Sequence, residues 1–242
     1  MSRDAATELA PTGVLRAAIN TGNTLLVTGR DENGDPVGVA PDLAREIASS
    51  LGVPVRYVPF SRPSTLADAV LDAVWDVGLI GAEPARARHI SFTAAYVEIE
   101  AGYLAPPGSA LGAISDVDRA GVRIAVAAGS AYDLWLTRNI KHATLVRSDS
   151  VAGALTLFVD ERLDVMAGLR PGLLSEIGRL PGFRILEGTF MTVQQAVGTQ
   201  KEREVGAAFL RTFVEDAKSS GLIARLLERH GVAERLSVAP MA

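Results

Sequence analysis

The sequence predicts an α/β fold divided into two lobes, each with a mainly parallel sheet and flanking helices. Short apolar runs alternate with helical periodicities along the chain, which is typical of parallel strands joined by helices. Residues 13–81 and 121–169 show a weak internal likeness that indicates two related units, although any two α/β units look alike at this level. Two extended segments then predict a path that leaves the first lobe and later returns to it.

The first lobe is predicted to alternate strands and helices. Residues 14–19 form a strand, and residues 42–52 form a helix whose apolar side chains lie on one face. Residues 53–60 return as a strand. Ser64 is expected to cap the next helix, and residues 76–81 then form a buried strand.

The second lobe is predicted to repeat this alternation. Residues 121–130 pass from a strand into a turn, and a helix begins near Ala131. Ser150 opens another helix, and residues 163–168 follow as a strand. Beyond residue 199 the chain is predicted to be helical to its end, and these helices are expected to pack on the first lobe.

Two connections set the predicted domain limits. They lie near residues 98–107 and 187–195, so that lobe 1 comprises residues 1–103 and 194–242 while lobe 2 comprises residues 104–193. Two crossings make a hinge, and the cleft between two lobes is the usual position for a ligand.

Composition excludes several kinds of function. Lys and Arg total 24 against 28 Asp and Glu, so the chain of 242 residues carries a net charge of −4. Nucleic acid is therefore not an expected partner, because binding phosphates requires a positive surface. Cysteine is absent, which excludes disulfides, thiolate nucleophiles and cysteine-based metal sites. With three scattered histidines, we expect no metal ion and no cofactor.

Neither a signal peptide nor a membrane span is predicted. The first residues lack a basic region followed by an apolar one, and no apolar run is long enough to cross a bilayer. We expect a periplasmic or extracellular protein if a signal peptide has been removed, and a cytoplasmic one if Met1 is the native start. The protein is expected to be a monomer without direct membrane insertion.

Several motifs occur in an order that is shared with a known family. They are GVLRAAI, GVAPDLAREIASSLGV, WDVGLIG, PARARHISFTAAY, GVRIAVAAGSAYDLWL and VDERLDVMAG. In this order they resemble extracellular solute-binding protein family 3, the polar amino-acid type of periplasmic binding protein. The resemblance covers nearly the whole chain. It implies a type II periplasmic-binding-protein-like fold in which the two crossing segments act as the hinge.

The resemblance also implies a binding function without catalytic residues. It implies the substrate-binding component of an ABC-type importer, whose lobes close on an amino acid or small carboxylate in the cleft between them. The implied partners are this small molecule and the transporter permease. Contacts of the ligand with both lobes would then shift the balance from the open to the closed form.

The most specific motif is an arginine followed by phenylalanine and tyrosine at fixed spacing. In this sequence the residues are Arg86, Phe92 and Tyr96. The resemblance implies that Arg86 clamps the ligand carboxylate, and a guanidinium offers a planar fork that matches a carboxylate. The alternative is an ordinary surface arginine at the start of a turn. Arg88 and His89 have no such role and are expected to be solvated.

The resemblance places a second contact in lobe 2, at Gly129, Ser130 and Ala131. Here a strand passes into a helix, whose first N–H groups and dipole favour an anion. The alternative is that Ser130 and Asp133 have capping-box spacing, which needs no ligand. Both roles are compatible, since the backbone can bind a ligand while the side chain caps the helix.

Further ligand contacts are implied in the loop after the first strand and in the second crossing. Asn20 and Asn23 offer donors and acceptors beside the ligand, or they form a plain Asn/Gly turn. Gln194 and Gln195 either reach the cleft or are strand residues that face water.

Two departures from the family pattern bear on the ligand. Leu169 stands where amino-acid binders commonly carry an aspartate for the ammonium group, and the turn after Gly81 contains Glu83 in place of a threonine-containing segment. Either Glu83 takes the ammonium role from lobe 1, or Arg170 accepts a second acid group. A carboxylate ligand, including a dicarboxylate or a modified amino acid, is compatible with both departures.

Two other functions remain open for a chain of this pattern. Proteins that resemble this family include cyclohexadienyl dehydratases, for which Glu83 or His89 would be the candidate acid. No nucleophile–base pair is recognisable, so we expect a binding protein and not an enzyme. Ligand-sensing domains of transcription regulators share the two-lobe plan, but no helix-turn-helix precedes residue 13 and no basic stripe is present.

Overall fold

A computed structural model describes residues 2–242 as a mixed α/β protein. The helices are α1 (Ser2–Leu9), α2 (Val39–Leu51), α3 (Pro63–Asp68), α4 (Ala131–Asn139), α5 (Val151–Asp160), α6 (Arg170–Ile177), α7 (Glu204–Ser219) and α8 (Leu222–Arg229). The strands are β1 (Leu15–Asn20), β2 (Gly29–Arg30), β3 (Pro36–Val37), β4 (Val55–Phe60), β5 (Val77–Gly81), β6 (Ile90–Ala105), β7 (Arg123–Ala127), β8 (Thr144–Ser148), β9 (Val165–Leu169), β10 (Arg184–Ile185), β11 (Met191–Gln200) and β12 (Ser237–Val238). The predicted α/β class is confirmed.

The chain divides into two compact units. Unit 1 takes the chain up to Glu98 and again from Gln194 to Ala242, and unit 2 is Ile99–Val193. The chain therefore passes between the units twice, once within β6 and once within β11.

Unit 1 contains strands in the order β4-β1-β5-β11. β1 pairs in parallel with β4 and β5, whereas β11 runs antiparallel to β5. Because parallel strands end at the same edge of a sheet, Asn20 at the end of β1 and Gly81 at the end of β5 share one edge. Helix α7 contacts α1, and α8 contacts α2, so the C-terminal helices pack within this unit.

A buried ion cluster fixes the segment that leads into β5. The side chain of Asp76 is 0% exposed. It accepts hydrogen bonds from Nε and Nη2 of Arg16 at 2.8 and 2.7 Å, and from Nη1 of Arg203 at 2.8 Å. Arg203 immediately precedes α7, so the cluster ties β1, β5 and α7 together.

Unit 2 contains strands in the order β6-β9-β7-β8. β7 pairs in parallel with β8 and β9, whereas β6 runs antiparallel to β9. The carboxyl ends of β7 and β9 therefore lie at one edge. On one face of this sheet, the ring of Phe190 lies 4.7 Å from Tyr103 and 5.4 Å from Trp135, measured between centroids.

Some predicted helix limits differ from the structure. Helix α2 begins at Val39, ahead of the predicted residue 42, and Gly52 ends it in a left-handed conformation with φ 72°. Ser64 does not cap α3, because this helix begins at Pro63 with Arg62 at the N-cap. Proline favours the first helical position, since its φ is preset and its missing N–H would have no helical partner. Helix α1 was not predicted.

Across residues 2–242, no helix combines the length and the apolar character that a bilayer span requires.

Candidate functional site

The turn after β5 holds two oppositely charged side chains away from water. Glu83 is 4% exposed and Arg86 is 6% exposed, although both lie outside the strands. The N–H of Ala87 donates to the carbonyl of Glu83 at 2.9 Å, and the N–H of His89 donates to the carbonyl of Arg86 at 3.1 Å, which closes a short 3-10 turn over Arg86–Arg88. This turn directs the Arg86 side chain inward.

The Arg86 guanidinium is anchored to the end of β5. Its Nη1 donates to the carbonyl oxygen of Gly81 at 2.6 Å. Burial lowers the pKa of Arg86 to about 10, while the negative charges of Glu83 and Asp68 act to raise it. The side chain therefore still carries its positive charge at neutral pH. The alternative of an ordinary surface arginine is wrong, whereas Arg88 and His89 are exposed as expected.

Strand β11 lies beside this turn. Gln195 is opposite Gly81 in the antiparallel register, and the N–H of Ala82 donates to the carbonyl of Gln194 at 2.7 Å. Gln195 is 5% exposed, so a water-facing position is wrong for this residue, while Gln194 is half-buried. The structure thus brings Gly81, Gln194 and the charged residues of the turn into one region of unit 1.

The loop after β1 adds two asparagines at the same sheet edge. Asn20 Oδ1 accepts from the N–H of Gly22, and Asn23 Oδ1 accepts from the N–H of Leu25, both at 3.2 Å. Gly22 lies so close to the chain that an added Cβ would be 2.4 Å from the carbonyl oxygen of Ser61. The predicted Asn/Gly turn is therefore present, and it is held tightly against the segment after β4.

The turn before α4 is organised by its own side chains. Ser130 is the N-cap, and its Oγ accepts from the N–H of Asp133 at 3.1 Å. The carboxylate of Asp133 does not return to Ser130 as in a full capping box, but accepts from the N–H of Gly129 at 2.8 Å. The N–H of Ser130 donates to the carbonyl of Ala127 at 3.3 Å.

Asp133 also binds an arginine from the neighbouring strand. Its Oδ1 lies 2.9 Å from Nε of Arg147, whose Nη2 donates to Thr137 at 2.7 Å. Asp133 is 4% exposed. The Asp133 carboxylate thus already accepts a hydrogen bond from the N–H of Gly129, which is one of the groups expected to contact a ligand. Sequence reasoning missed this pair, because only the Ser130–Asp133 spacing is visible in the sequence.

Arg170 lies at the carboxyl end of β9. Its Nη1 donates to the carbonyl of Gly188 at 3.3 Å, and its Nε lies 3.9 Å from the carboxylate of Glu100. The side chain is 36% exposed. Since β7 and β9 are parallel, Arg170 shares a sheet edge with Ala131 at the start of α4.

The predicted site residues therefore fall into two groups, each near the carboxyl ends of the parallel strands of its own unit. Carboxyl edges are the usual ligand side of open α/β sheets. The group in unit 1 comprises Asn20, Asn23, Gly81, Glu83, Arg86 and Gln194. The group in unit 2 comprises Gly129, Ser130, Ala131 and Arg170. Among the residues that the structure describes, no three His, Cys, Asp or Glu side chains gather closely enough to hold a metal ion.

Comparison with known proteins adds a family and a fold. The sequence model of one protein family, the bacterial extracellular solute-binding proteins, family 3, matches residues 17–233 of this chain. No curated protein matches the chain. The solved structure of a mutant of ArgBP from T. maritima is 22% identical with a TM-score of 0.77, and the match covers 94% of this chain and 99% of that one.

Two further solved structures are similar over nearly their whole lengths. A cysteine-binding protein from Campylobacter jejuni is 16% identical with a TM-score of 0.78, covering 95% of this chain and 97% of that one. An ancestral amino acid-binding protein, described as a precursor of cyclohexadienyl dehydratase, is 20% identical with a TM-score of 0.74, covering 92% and 97%. These likenesses confirm the type II periplasmic-binding-protein-like fold.

Proposed function

The chain belongs to the bacterial extracellular solute-binding proteins, family 3, and from this premise we propose that it captures an amino acid or a small carboxylate for an ABC-type importer. The observation that carries the proposal is the buried, charged Arg86 at the carboxyl edge of the unit 1 sheet. A solved substrate-binding protein of an amino acid ABC transporter has a similar fold, at 17% identity. We place the protein outside the cytoplasm, with the transporter permease as its partner.

Arg86 is proposed to bind the acid group of the solute. A guanidinium has five N–H donors in a planar fork, and a carboxylate can accept two of them side by side. The hydrogen bond to Gly81 fixes the orientation of this fork before a solute arrives. Burial supports the role, because a charge–charge contact is stronger where water is scarce.

Glu83 is proposed to bind the ammonium group of an amino acid. It lies in the same turn as Arg86, and its negative charge raises the pKa of Arg86. A solute with both an acid and an ammonium group would carry a charge complementary to each of these side chains. Asn20, Asn23 and Gln194 are proposed to supply neutral polar contacts at the same sheet edge.

Unit 2 is proposed to complete the site with the start of α4. The hydroxyl of Ser130 and the N–H of Ala131 are the proposed contacts, while Asp133 holds the adjoining amide of Gly129 and the carbonyl of Ala127 accepts from the N–H of Ser130. The guanidinium of Arg170 would bind a second acid group if the solute is a dicarboxylate. Closure of the two units on the solute, which family membership favours, is part of the same proposal.

A melting screen against amino acids and small organic acids tests the function. We expect at least one acid to raise the Tm of the native chain by mass action, because it binds the folded protein alone. The Arg86→Ala variant should lose this shift, and Arg88→Ala, an exposed neighbour, should keep it. Arg86→Lys serves as a second variant that keeps the charge in case Arg86→Ala fails to fold. The proposal is wrong if no acid stabilises the native chain, or if a folded Arg86 variant responds fully.

A second candidate function is a dehydratase. Glu83 is a buried carboxyl group beside a cation, and an ancestral relative of similar fold is described as a precursor of cyclohexadienyl dehydratase. Glu83 would act as the general acid. Incubation with prephenate should yield phenylpyruvate if this function is present, and Glu83→Gln should abolish it. Absence of turnover in the native chain rejects this candidate.

A further inference from the structure

The C-terminal residues of the chain form an added strand on β6. Ser237 and Val238 of β12 pair antiparallel with Glu98 and Val97. The N–H of Ala239 then donates to the carbonyl of Tyr96 at 3.1 Å. In an antiparallel pair, hydrogen-bonded positions alternate with positions that are not hydrogen-bonded. Since Ala239 is bonded to Tyr96, the next bonded pair is Ser237 with Glu98, and Val238 lies between them.

The end of this segment is held by a lysine that is withdrawn from water. Lys218 on α7 has a side chain that is 1% exposed. Its Nζ donates to the carbonyl of Pro240 at 2.7 Å and lies 2.6 Å from Oε1 of Glu215. Oε2 of Glu215 accepts from the N–H of Ala242 at 3.1 Å. Burying a lysine is costly unless it is paired and hydrogen-bonded, so these contacts form a dedicated anchor for the tail.

The ladder between β6 and β12 ends where the chain leaves unit 1. Glu98 is the last residue of this unit at the first crossing. The ladder with β12 ends at Glu98, and the ladder with β9 begins at Ala101. Ile99 and Glu100 lie between these two ladders.

We propose that residues 237–242 form a strap that fixes β6 up to Glu98, so that bending of the first crossing starts beyond Glu98. The consequence for solute capture rests on the proposed function, because capture by closure requires the crossing to bend. The strap itself does not depend on any solute. Its local effect is to protect the backbone of β6 on the unit 1 side of the crossing.

Hydrogen exchange of the full chain without solute tests the strap. Ala239→Pro removes the N–H that donates to Tyr96, and Lys218→Met removes the anchor of the tail. We expect each change to speed exchange of the Glu98 amide at least tenfold, while amides of β1 remain as protected as in the native chain. The matched control is Val238→Pro, at the position between the bonded pairs, which should leave the Glu98 amide protected.

Two results would overturn the strap. One is an unchanged Glu98 exchange rate in both Ala239→Pro and Lys218→Met. The other is a loss of protection throughout unit 1, which would make the segment part of the general core. Because no solute is present, failure of the proposed solute function is visible only in the melting screen and cannot be confused with either result.

Discussion

The guanidinium of Arg86 donates a 2.6 Å hydrogen bond to the carbonyl of Gly81, the last residue of β5. The bond joins a charged side chain to the rigid end of a buried strand, so the charge is fixed in position before any solute binds. Burial lowers the pKa of Arg86 to about 10, which leaves the group charged at neutral pH. Preorganisation of this kind reduces the entropic cost of binding.

The buried Asp76 cluster is predicted to be essential for stability. Asp76→Asn removes the negative charge that Arg16 and Arg203 share. Breaking a buried ion pair by removing one partner costs about 3–5 kcal/mol of unfolding free energy. Urea unfolding at neutral pH measures this loss. The control, Asp72→Asn at an exposed position, should change the unfolding free energy by no more than about 0.5 kcal/mol.

The same cluster predicts a loss of stability in acid. Burial raises the pKa of the Asp76 carboxyl, but hydrogen bonds from Arg16 and Arg203 outweigh burial and hold the pKa below its usual range. Because the pKa of Asp76 is lower in the folded state than in the unfolded state, the ionised carboxylate stabilises the fold above about pH 4. This contribution is lost as pH falls further. Urea unfolding from pH 7 to pH 3 should show this decline. Asp76→Asn should flatten it, and an equally steep decline in the variant would contradict the assignment.

Asp133 is predicted to stabilise the turn before α4. Asp133→Ala removes the acceptor of the Gly129 N–H and the partner of Arg147. Hydrogen bonds that involve a charged group contribute about 1.5–3 kcal/mol, so we expect a loss in that range by urea unfolding. Asp160→Ala, an exposed change in the same unit, serves as the control. An Asp133→Ala chain as stable as the control would show that the network does not hold the turn.

Glu83→Gln is predicted to change the preferred charge of the solute. The native turn carries one positive and one negative side chain, and glutamine keeps the shape but removes the negative charge. The amino acid with the largest Tm shift in the screen should bind at least tenfold more weakly to Glu83→Gln. The deamino analogue of this amino acid keeps the acid group but lacks the ammonium group. It should bind to Glu83→Gln at least as tightly as it binds to the native chain. Equal weakening of both solutes would reject an ammonium contact.

The alternation of strands and helices was predictable because it depends on local patterns of apolar residues. The buried strand β5 follows from a continuous apolar run, and Ser150 caps α5 as its sequence position indicates. Helix α1 was not predicted, because its buried residues Ala5 and Leu9 form only a short apolar stripe. Glu8 on α1 accepts a hydrogen bond from the N–H of Gly206 on α7, a helix near the C-terminal end of the sequence.

The candidate site was predictable as a set of residues and not as a set of contacts. Spacing in the motif singled out Arg86, but nothing in the sequence indicates that its side chain is bonded to Gly81. The pairing of Asp133 with Arg147 depends on β8 lying beside β7, which is a tertiary relationship. Such contacts form between distant parts of the chain and leave no local pattern.

Titration calorimetry with the best solute of the melting screen tests most directly whether Arg86 binds an acid group. We expect a single site in the native chain and in Arg88→Ala. We expect a loss of at least a hundredfold in affinity for Arg86→Ala, and also when the acid group of the solute is converted to a neutral amide. Unchanged binding of the neutral amide by the native chain would show that Arg86 does not bind an acid group, as would native affinity in a folded Arg86→Ala.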